Sequence, residues 1–485
     1  MIIKDHRHPG RCSRFHEFAS LCLALSMTAI SLLLLLLDGS TALTDGLFAD
    51  LALRYGVHSR VQLRTPSGGE RGLFTTAAVK AGEPVLAVPF ELCLVCQAEA
   101  GDEAICSPWD APHRDARDTL LARQLLAALS ETNSPATISS LQRDFWQEWS
   151  TMLPEPGTLA HPITLCAPIL QMLQDEQLSK AARLQQDRVD AVLHEQQVPS
   201  CAEVSGRNGS SKSAVSTASP SDSEAAALRH WAVALCCSRP FSIPIASEMP
   251  EQGAEYLASF VPFVDMANHA EVPNCEVQGR GDGSMKGDEK DLAKCLSAVG
   301  LVASRDLEPG EEIFISYFGA APNAHIFSRF GFTYGANRHD RVLGLPDTLQ
   351  PLSAEAVRTT TAAFRGRWED QQPYFEAALL SMPLTRQPSL GSLAETQAAL
   401  ALEVWLKEVA GREFTTTLEA DEAELDELNR ELSTSSARNV GAVMLDGEIG
   451  VRPSTYAAIL AYRVERKRLW RTAIDIVKAH QEAHQ

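Results

Sequence analysis

The sequence predicts an α+β protein: a β-rich unit split by a helical insertion and followed by an all-α C-terminal domain. Four stretches carry that prediction. Apolar and polar residues alternate from Val57 to Leu63 and again from Ile313 to Tyr317, which is strand spacing. The period turns helical from Ala116 to His194 (DTLLARQLLAAL, then LQRDFWQEWSTML, then a polar helix near Leu173 to Leu193). It is helical once more after residue 350, through ETQAALALEVWLKEVAGR and PSTYAAILAYRVERKRLWRTAIDIV.

In chain order, residues 47–95 read as a small β unit. A strand at Val57–Leu63 is followed by the turn-and-strand SGGERGLFTTAAV, a turn at Ala81-Gly82-Glu83 and the strand PVLAVPF. The insertion spans about residues 110–238. Within it, residues 196–223 are rich in Ser, Gly, Ala and Asn and read as flexible. Helix returns at Glu224–Cys237. Strands then dominate Phe260–Tyr317, interrupted by the Gly- and charge-rich loop Gly279–Lys290. Pro322-Asn323 opens a short helix that Gly331 closes. The acidic run Glu419–Glu431 reads as a solvated helix face.

At 485 residues the chain holds two or three domains with full cores. The formal net charge is −19. That argues against nucleic-acid binding, which needs a basic surface. It suits a basic or neutral protein partner and a monomer. The 11 cysteines have no framework spacing, and Cys93-x-x-Cys96 sits in an apolar run without a second pair. Buried, reduced thiols are expected there and no metal site.

The N-terminus reads as a targeting segment, residues 1–43. Lys4, Arg7, Arg11 and Arg14 precede the uncharged run Phe18–Leu37, and Ser40-Thr41-Ala42 is a small-residue cleavage site. A cleaved signal and a retained membrane anchor both fit this pattern. Either sends the chain to the secretory pathway or a membrane; a plastid route in an alga is a third destination.

Two segments concentrate the chemistry. The first, residues 311–337 (EEIFISYFGAAPNAHIFSRFGFTYGAN), places aromatics at Tyr317, Phe318, Phe330 and Phe332 around a turn and a helix. The second, residues 260–275 (FVPFVDMANHAEVPNC), is apolar and then abruptly polar at Asp265, Asn268 and His269. Upstream lies Gly68-Gly69-Glu70-Arg71-Gly72-Leu73-Phe74, whose glycines allow close backbone approach; a plain hairpin is the competing reading. Ser238-Arg239-Pro240-Phe241 follows the helix LRHWAVALCC.

Together and in this order these motifs resemble SET-domain protein methyltransferases, specifically the plant Rubisco large-subunit lysine methyltransferase group, which includes an actin-histidine methyltransferase. The resemblance covers roughly Leu47–Asn337, with a looser helical match beyond. It implies a SET β-fold over residues 44–337 and a helical substrate-binding domain over 338–485. It implies S-adenosylmethionine as cofactor, bound by Gly69, Arg71, Asn268, His269, Tyr317 and Phe332. Tyr317 becomes the catalytic tyrosine. Arg239, Phe241, Asp265 and Phe330 shape the pocket for the target side chain, although Arg239 and Asp265 also read as a plain buried ion pair. The implied reaction is N-methylation of a protein, on lysine of a non-histone substrate. Histidine as target and an inactive, tethered binding module are the alternatives. Ala270, Phe318 and Phe330 depart from the group, which has Ser, Gly and frequently Tyr there. Phe318 is expected to narrow the channel or shift its turn.

Overall fold

The computed structural model describes residues 39–66, 71–98, 112–130, 138–194, 221–245, 255–281, 296–363, 372–385, 392–433, 443–445 and 449–484. The apolar run 18–37, the linker 196–220 and Gly69 lie outside them. Among the described residues no helix is long and apolar enough to cross a membrane.

Helix α1 (Gly39–Arg54) opens the described chain, so Ser40-Thr41-Ala42 falls at its start. Residues 47–54, expected within the β unit, are therefore helical. The reason is local: Phe48, Leu51 and Ala52 share one face and are buried. Strand β1 (His58–Ser59) then pairs with β4 (Pro84–Pro89), and β2 (Val61–Arg64) with β3 (Gly72–Thr75). Strand β5 (Leu94–Ala98) closes this part.

The insertion contributes α2 (Pro112–Leu129), α3 (Ser140–Trp149), α4 (Ala167–Gln171), α5 (Glu176–Leu193) and α6 (Asp222–Ser238). Capping explains two of its helix starts. Ser139 and Gln142 form a capping box on α3, and Ser221 and Glu224 form one on α6. The chain then returns to sheet. β6 (Phe241–Ile245) and β5 flank β7 (Glu255–Phe260), while β9 (Cys275–Gly281) and β4 flank β10 (Leu296–Ala303).

An aromatic core fuses sheet and insertion. Phe48, Phe145, Trp146, Trp149, Phe260 and Phe263 are all at most 1% exposed. Phe263 has φ +67°, a left-handed backbone uncommon outside glycine. Its ring lies 4.4 Å from that of Trp149 and 5.0 Å from that of Phe48, and this packing offsets the strain. The strained residue immediately precedes the turn carrying Asp265.

Two short strands build the centre of the molecule. β8 (Asn268–His269) runs parallel to β11 (Phe314–Ile315), with Phe314 opposite Asn268 and Ile315 opposite His269. On its other side the 311–313 segment bonds to β3: Thr75 N–H donates to Glu311 O at 2.9 Å and Ile313 N–H to Leu73 O at 2.8 Å. The 311–315 chain is thus threaded between β3 and β8. Helix α7 (Asn323–Phe330) follows, opened after Pro322 and stopped by Gly331 at φ +74°.

The helical C-terminal region wraps α8 (Ala354–Ala363), α9 (Gln372–Ser381), α10 (Ser392–Glu413) and α11 (Leu418–Ser433) around the long α12 (Pro453–His484). Short strand pairs at 352–353 with 384–385 and at 443–445 with 449–451 are its β content among the described residues. The run Glu419–Glu431 does form a helix, but it is not wholly solvated. Asp421 is fully buried and takes bonds from Arg463 Nε at 3.0 Å and Lys467 Nζ at 2.5 Å. A shared core of Leu165, Leu170, Phe327, Tyr456, Ile459 and Tyr462 ties α12 to both the insertion and α7. The ring of Phe327 on α7 lies 4.8 Å from that of Tyr462.

Candidate functional site

The threaded strand positions the chemistry. Beyond Ile315 the chain leaves the ladder and presents Tyr317. Bonds to residues 267 and 269 hold it in place. Its backbone N–H donates to His269 Nδ1 at 3.1 Å, and its phenol donates to Ala267 O at 2.6 Å. His269 therefore acts as an acceptor, and burial pulls its pKa below the ordinary histidine value, so it is neutral at pH 7. Spending the phenol's one proton on Ala267 leaves its lone pairs as acceptors.

Asn268 works on the opposite side. Its Nδ2 donates to Arg71 O at 3.2 Å and to Glu312 Oε1 at 2.8 Å. Gly72 makes that approach possible: a Cβ there would lie 2.5 Å from Glu312 Oε1 and 2.8 Å from Asn268 Nδ2. Asn274, buried at 3% exposure, stitches the thread in place. It donates from Nδ2 to Glu312 O and accepts from Phe314 N–H through Oδ1, both at 2.8 Å.

Rings surround Tyr317. Phe330 stacks on it with centroids 5.5 Å apart, and Phe332 meets it edge-on at 6.5 Å. Phe318 packs 4.3 Å from the His269 ring and 5.5 Å from Phe330. The residue that departs from the expected glycine thus fills space inside the aromatic cluster. Tyr334 adds an edge 5.9 Å from His269.

Tyr317, Phe318 and Phe330 open onto a cleft of about 590 Å³, walled also by Phe241, Ser238 and Val277. Arg239 and Asp265 do not line it. They form the buried ion pair, Arg239 Nη1 to Asp265 Oδ2 at 2.7 Å, with a further bond to Asp265 O at 3.1 Å. Burial raises the Asp265 pKa, and Arg239 only partly counters it. Asp265 Oδ1 is buried and finds no donor among the described residues. Arg71 lies nearby; burial first, and Arg239 second, lower its pKa. Its guanidinium donates to Met152 O at 2.9 Å.

Of the residues expected from sequence, Asn268, His269, Tyr317, Phe330 and Phe332 converge, with Arg71 on the far side of Asn268. Phe241 joins Tyr317 and Phe330 in the cleft. Gly69 lies outside the described residues. Sequence reasoning missed Glu312, Asn274 and Tyr334. Only Asn274 carried a signal, as the one amide in the run that follows His269. Cys93 is buried, its thiol pushed up to about 12 by desolvation, which makes it unreactive.

The SET domain family matches residues 70–318 of this chain. The chain is similar in fold to a crystal structure of the SET domain of LSMT bound to lysine and AdoHcy. That likeness has a TM-score of 0.51 and 15% identity, over 92% of this chain and 93% of that one. A crystal structure of the SET domain of LSMT bound to MeLysine and AdoHcy gives 0.50 and 16%, over 90% and 92%. No curated protein matches the chain.

Proposed function

This chain belongs to the SET-domain family, and from that premise we propose that it is an S-adenosylmethionine-dependent protein N-methyltransferase acting on lysine of a non-histone protein. The observation that carries this reading is Tyr317, held on Ala267 O and His269 and lining an aromatic-walled cleft.

The residues around β8 fit the cofactor. The Arg71–Gly72 backbone is pressed against the Asn268 amide, so backbone and side chain form one close-packed edge for a ligand. Asp265 Oδ1 is an unsatisfied acceptor beside the cation Arg71, which suits the ammonium and carboxylate of a methionine moiety. When bound, S-adenosylmethionine would supply an electrophilic methyl group.

The chain's own part is to position and desolvate. A free lysine titrates near about 10.4, yet only the neutral amine is a nucleophile. Phe241, Tyr317, Phe318 and Phe330 strip water from an amine entering the cleft, which lowers that value. The Tyr317 oxygen, its proton committed to Ala267, accepts from the amine and aims its lone pair. Alignment of this kind supplies most of the acceleration. Phe330, lacking a hydroxyl, offers the amine no second acceptor. The C-terminal helices, anchored to α7 through Phe327 and Tyr462, recruit the protein substrate.

The test is transfer of a labelled methyl group to matched peptides carrying Lys or His in one context. Lysine labelling supports the reading. Histidine labelling alone would redirect it. No labelling by a protein that binds S-adenosylmethionine would favour a binding module.

A further inference from the structure

One buried residue outside the aromatic cluster spends four hydrogen bonds on the chain that leads to Tyr317. Asn274, between β8 and β9, is 3% exposed. Its backbone N–H donates to Phe314 O at 3.1 Å. Its side chain donates from Nδ2 to Glu312 O at 2.8 Å and to Glu311 Oε1 at 3.3 Å, and accepts from Phe314 N–H through Oδ1 at 2.8 Å. Its own carbonyl accepts from Ser304 N–H at 2.9 Å, just beyond the end of β10. Asn274 therefore ties the 311–315 thread to the larger sheet.

These bonds fill a gap in the ladder. On one side the thread is held by β3 through Glu311 O and Ile313 N–H. On the other, β8 pairs with Phe314 and Ile315 and goes no further. A two-residue ladder fixes register weakly. The Asn274 amide donates to the carbonyl of Glu312 and accepts from the N–H of Phe314. That is the pair of bonds a parallel neighbour makes around the residue between them. A side chain thus supplies a third rung, opposite Ile313. Ile313 and Ile315 are at most 1% exposed, so backbone groups freed here would have to find new partners within the protein. Tyr317 follows Phe314 by three residues. Its bonds to His269 Nδ1 and Ala267 O both reach across to the β8 side, so their geometry depends on the register of the thread.

We propose that Asn274 is a positioning residue: as a side-chain rung beside β8 it fixes where the Tyr317 oxygen stands in the cleft. The inference rests on the reading of Tyr317 as the residue beside the reacting atoms. Asn274 does not line the cleft and acts through the backbone of the thread.

The test uses the full chain labelled with 3-fluorotyrosine. The chain has 7 tyrosines, and Tyr317→Phe identifies the fluorine resonance of Tyr317, as Tyr462→Phe does that of Tyr462. Asn274→Ala removes the rung. Asn274→Asp keeps the acceptor for Phe314 N–H but turns an oxygen toward Glu312 O and the Glu311 carboxylate, which is itself paired with Arg305. Burial and Glu311 would raise the pKa of the new carboxyl, and once protonated it can donate again. In both variants the Tyr317 resonance should move or broaden at about pH 8, while that of Tyr462 on α12 stays. In Asn274→Asp alone it should return toward the parent position as pH falls to about 5.5. Asp421→Ala, which loses buried bonds far from the site, should leave it in place. Urea unfolding establishes that each variant is folded. At saturating S-adenosylmethionine and lysine peptide, transfer by Asn274→Ala should be slower by about tenfold or more, a larger loss than that of cofactor affinity. A Tyr317 resonance unmoved in the folded variants would overturn the inference, whether or not the parent transfers methyl. Undiminished transfer by a variant whose resonance moves would overturn it too. A moved resonance in a chain that transfers nothing would leave the role of Asn274 standing and count against the proposed reaction alone.

Discussion

Replacing Gly72 by Ala is expected to weaken S-adenosylmethionine binding at a modest cost in stability. The added Cβ would sit 2.5 Å from Glu312 Oε1 and 2.8 Å from Asn268 Nδ2, both well inside contact distance. Glu312 can swing outward, but it then gives up its bond to Asn268 at 2.8 Å. Asn268 must also move, stretching its bond to Arg71 O, already 3.2 Å. Two hydrogen bonds at roughly 1 kcal/mol each set the scale of the damage at about 2 kcal/mol. Alanine returns about 0.4–1 kcal/mol by restricting the unfolded chain, because Gly72 has an ordinary strand backbone. Net stability should therefore fall by only about 1 kcal/mol. The displaced Asn268, however, no longer faces the cofactor correctly. At about 1.4 kcal/mol per tenfold, affinity should drop at least about tenfold. Calorimetry gives the affinity and urea unfolding gives the stability. A stable variant that binds S-adenosylmethionine as the parent does would refute the role given to Asn268.

Three further outcomes are expected. Gly331→Ala should destabilise by about 2–4 kcal/mol, since φ is +74° and the new Cβ would lie 3.0 Å from His161 N and 3.1 Å from Ala160 C; an unchanged urea midpoint would contradict this. His161 is buried with a pKa of about 3 against an ordinary 6.5, so only the unfolded chain takes up a proton as pH falls below 6.5. At about 1.36 kcal/mol per pH unit this one residue should remove roughly 2 kcal/mol of stability by pH 5, a loss absent in His161→Gln; parallel pH profiles for the two would refute it. Asp421→Ala leaves Arg463 and Lys467 buried without their carboxylate and should cost about 3–5 kcal/mol, read by thermal or urea unfolding.

Local features were the legible ones. Pro322 and Gly331 bracket α7 where expected, because capping is written in neighbouring residues. The Asn268-His269 pair and Tyr317 were singled out through residue type, order and the family resemblance, and the structure brings them together. Their actual relation is non-local: a parallel two-residue ladder, with the 311–315 chain threaded beside β3. Nothing in a period-two pattern says which strand is the neighbour. Glu312 was invisible for the same reason, as its role exists only because Gly72 lies against it. Asp421 was misread as solvated because the cations that bury it come from α12, more than forty residues downstream. Residues 47–54 were misread as β because a short apolar run does not distinguish a strand from a buried helix face. Arg239 and Asp265 were left between two readings by sequence, and they pair with each other outside the cleft lining.

The central claim is that Tyr317 stands where a methyl group is transferred. The most direct measurement compares the full chain with Tyr317→Phe, recording S-adenosylmethionine affinity by calorimetry and methyl transfer to a lysine peptide. The account predicts nearly equal affinity, since the phenol spends its proton on Ala267 O. It predicts transfer slower by about a hundredfold or more, the scale of losing one aligned polar group at the reacting atoms. Undiminished transfer by Tyr317→Phe would contradict it.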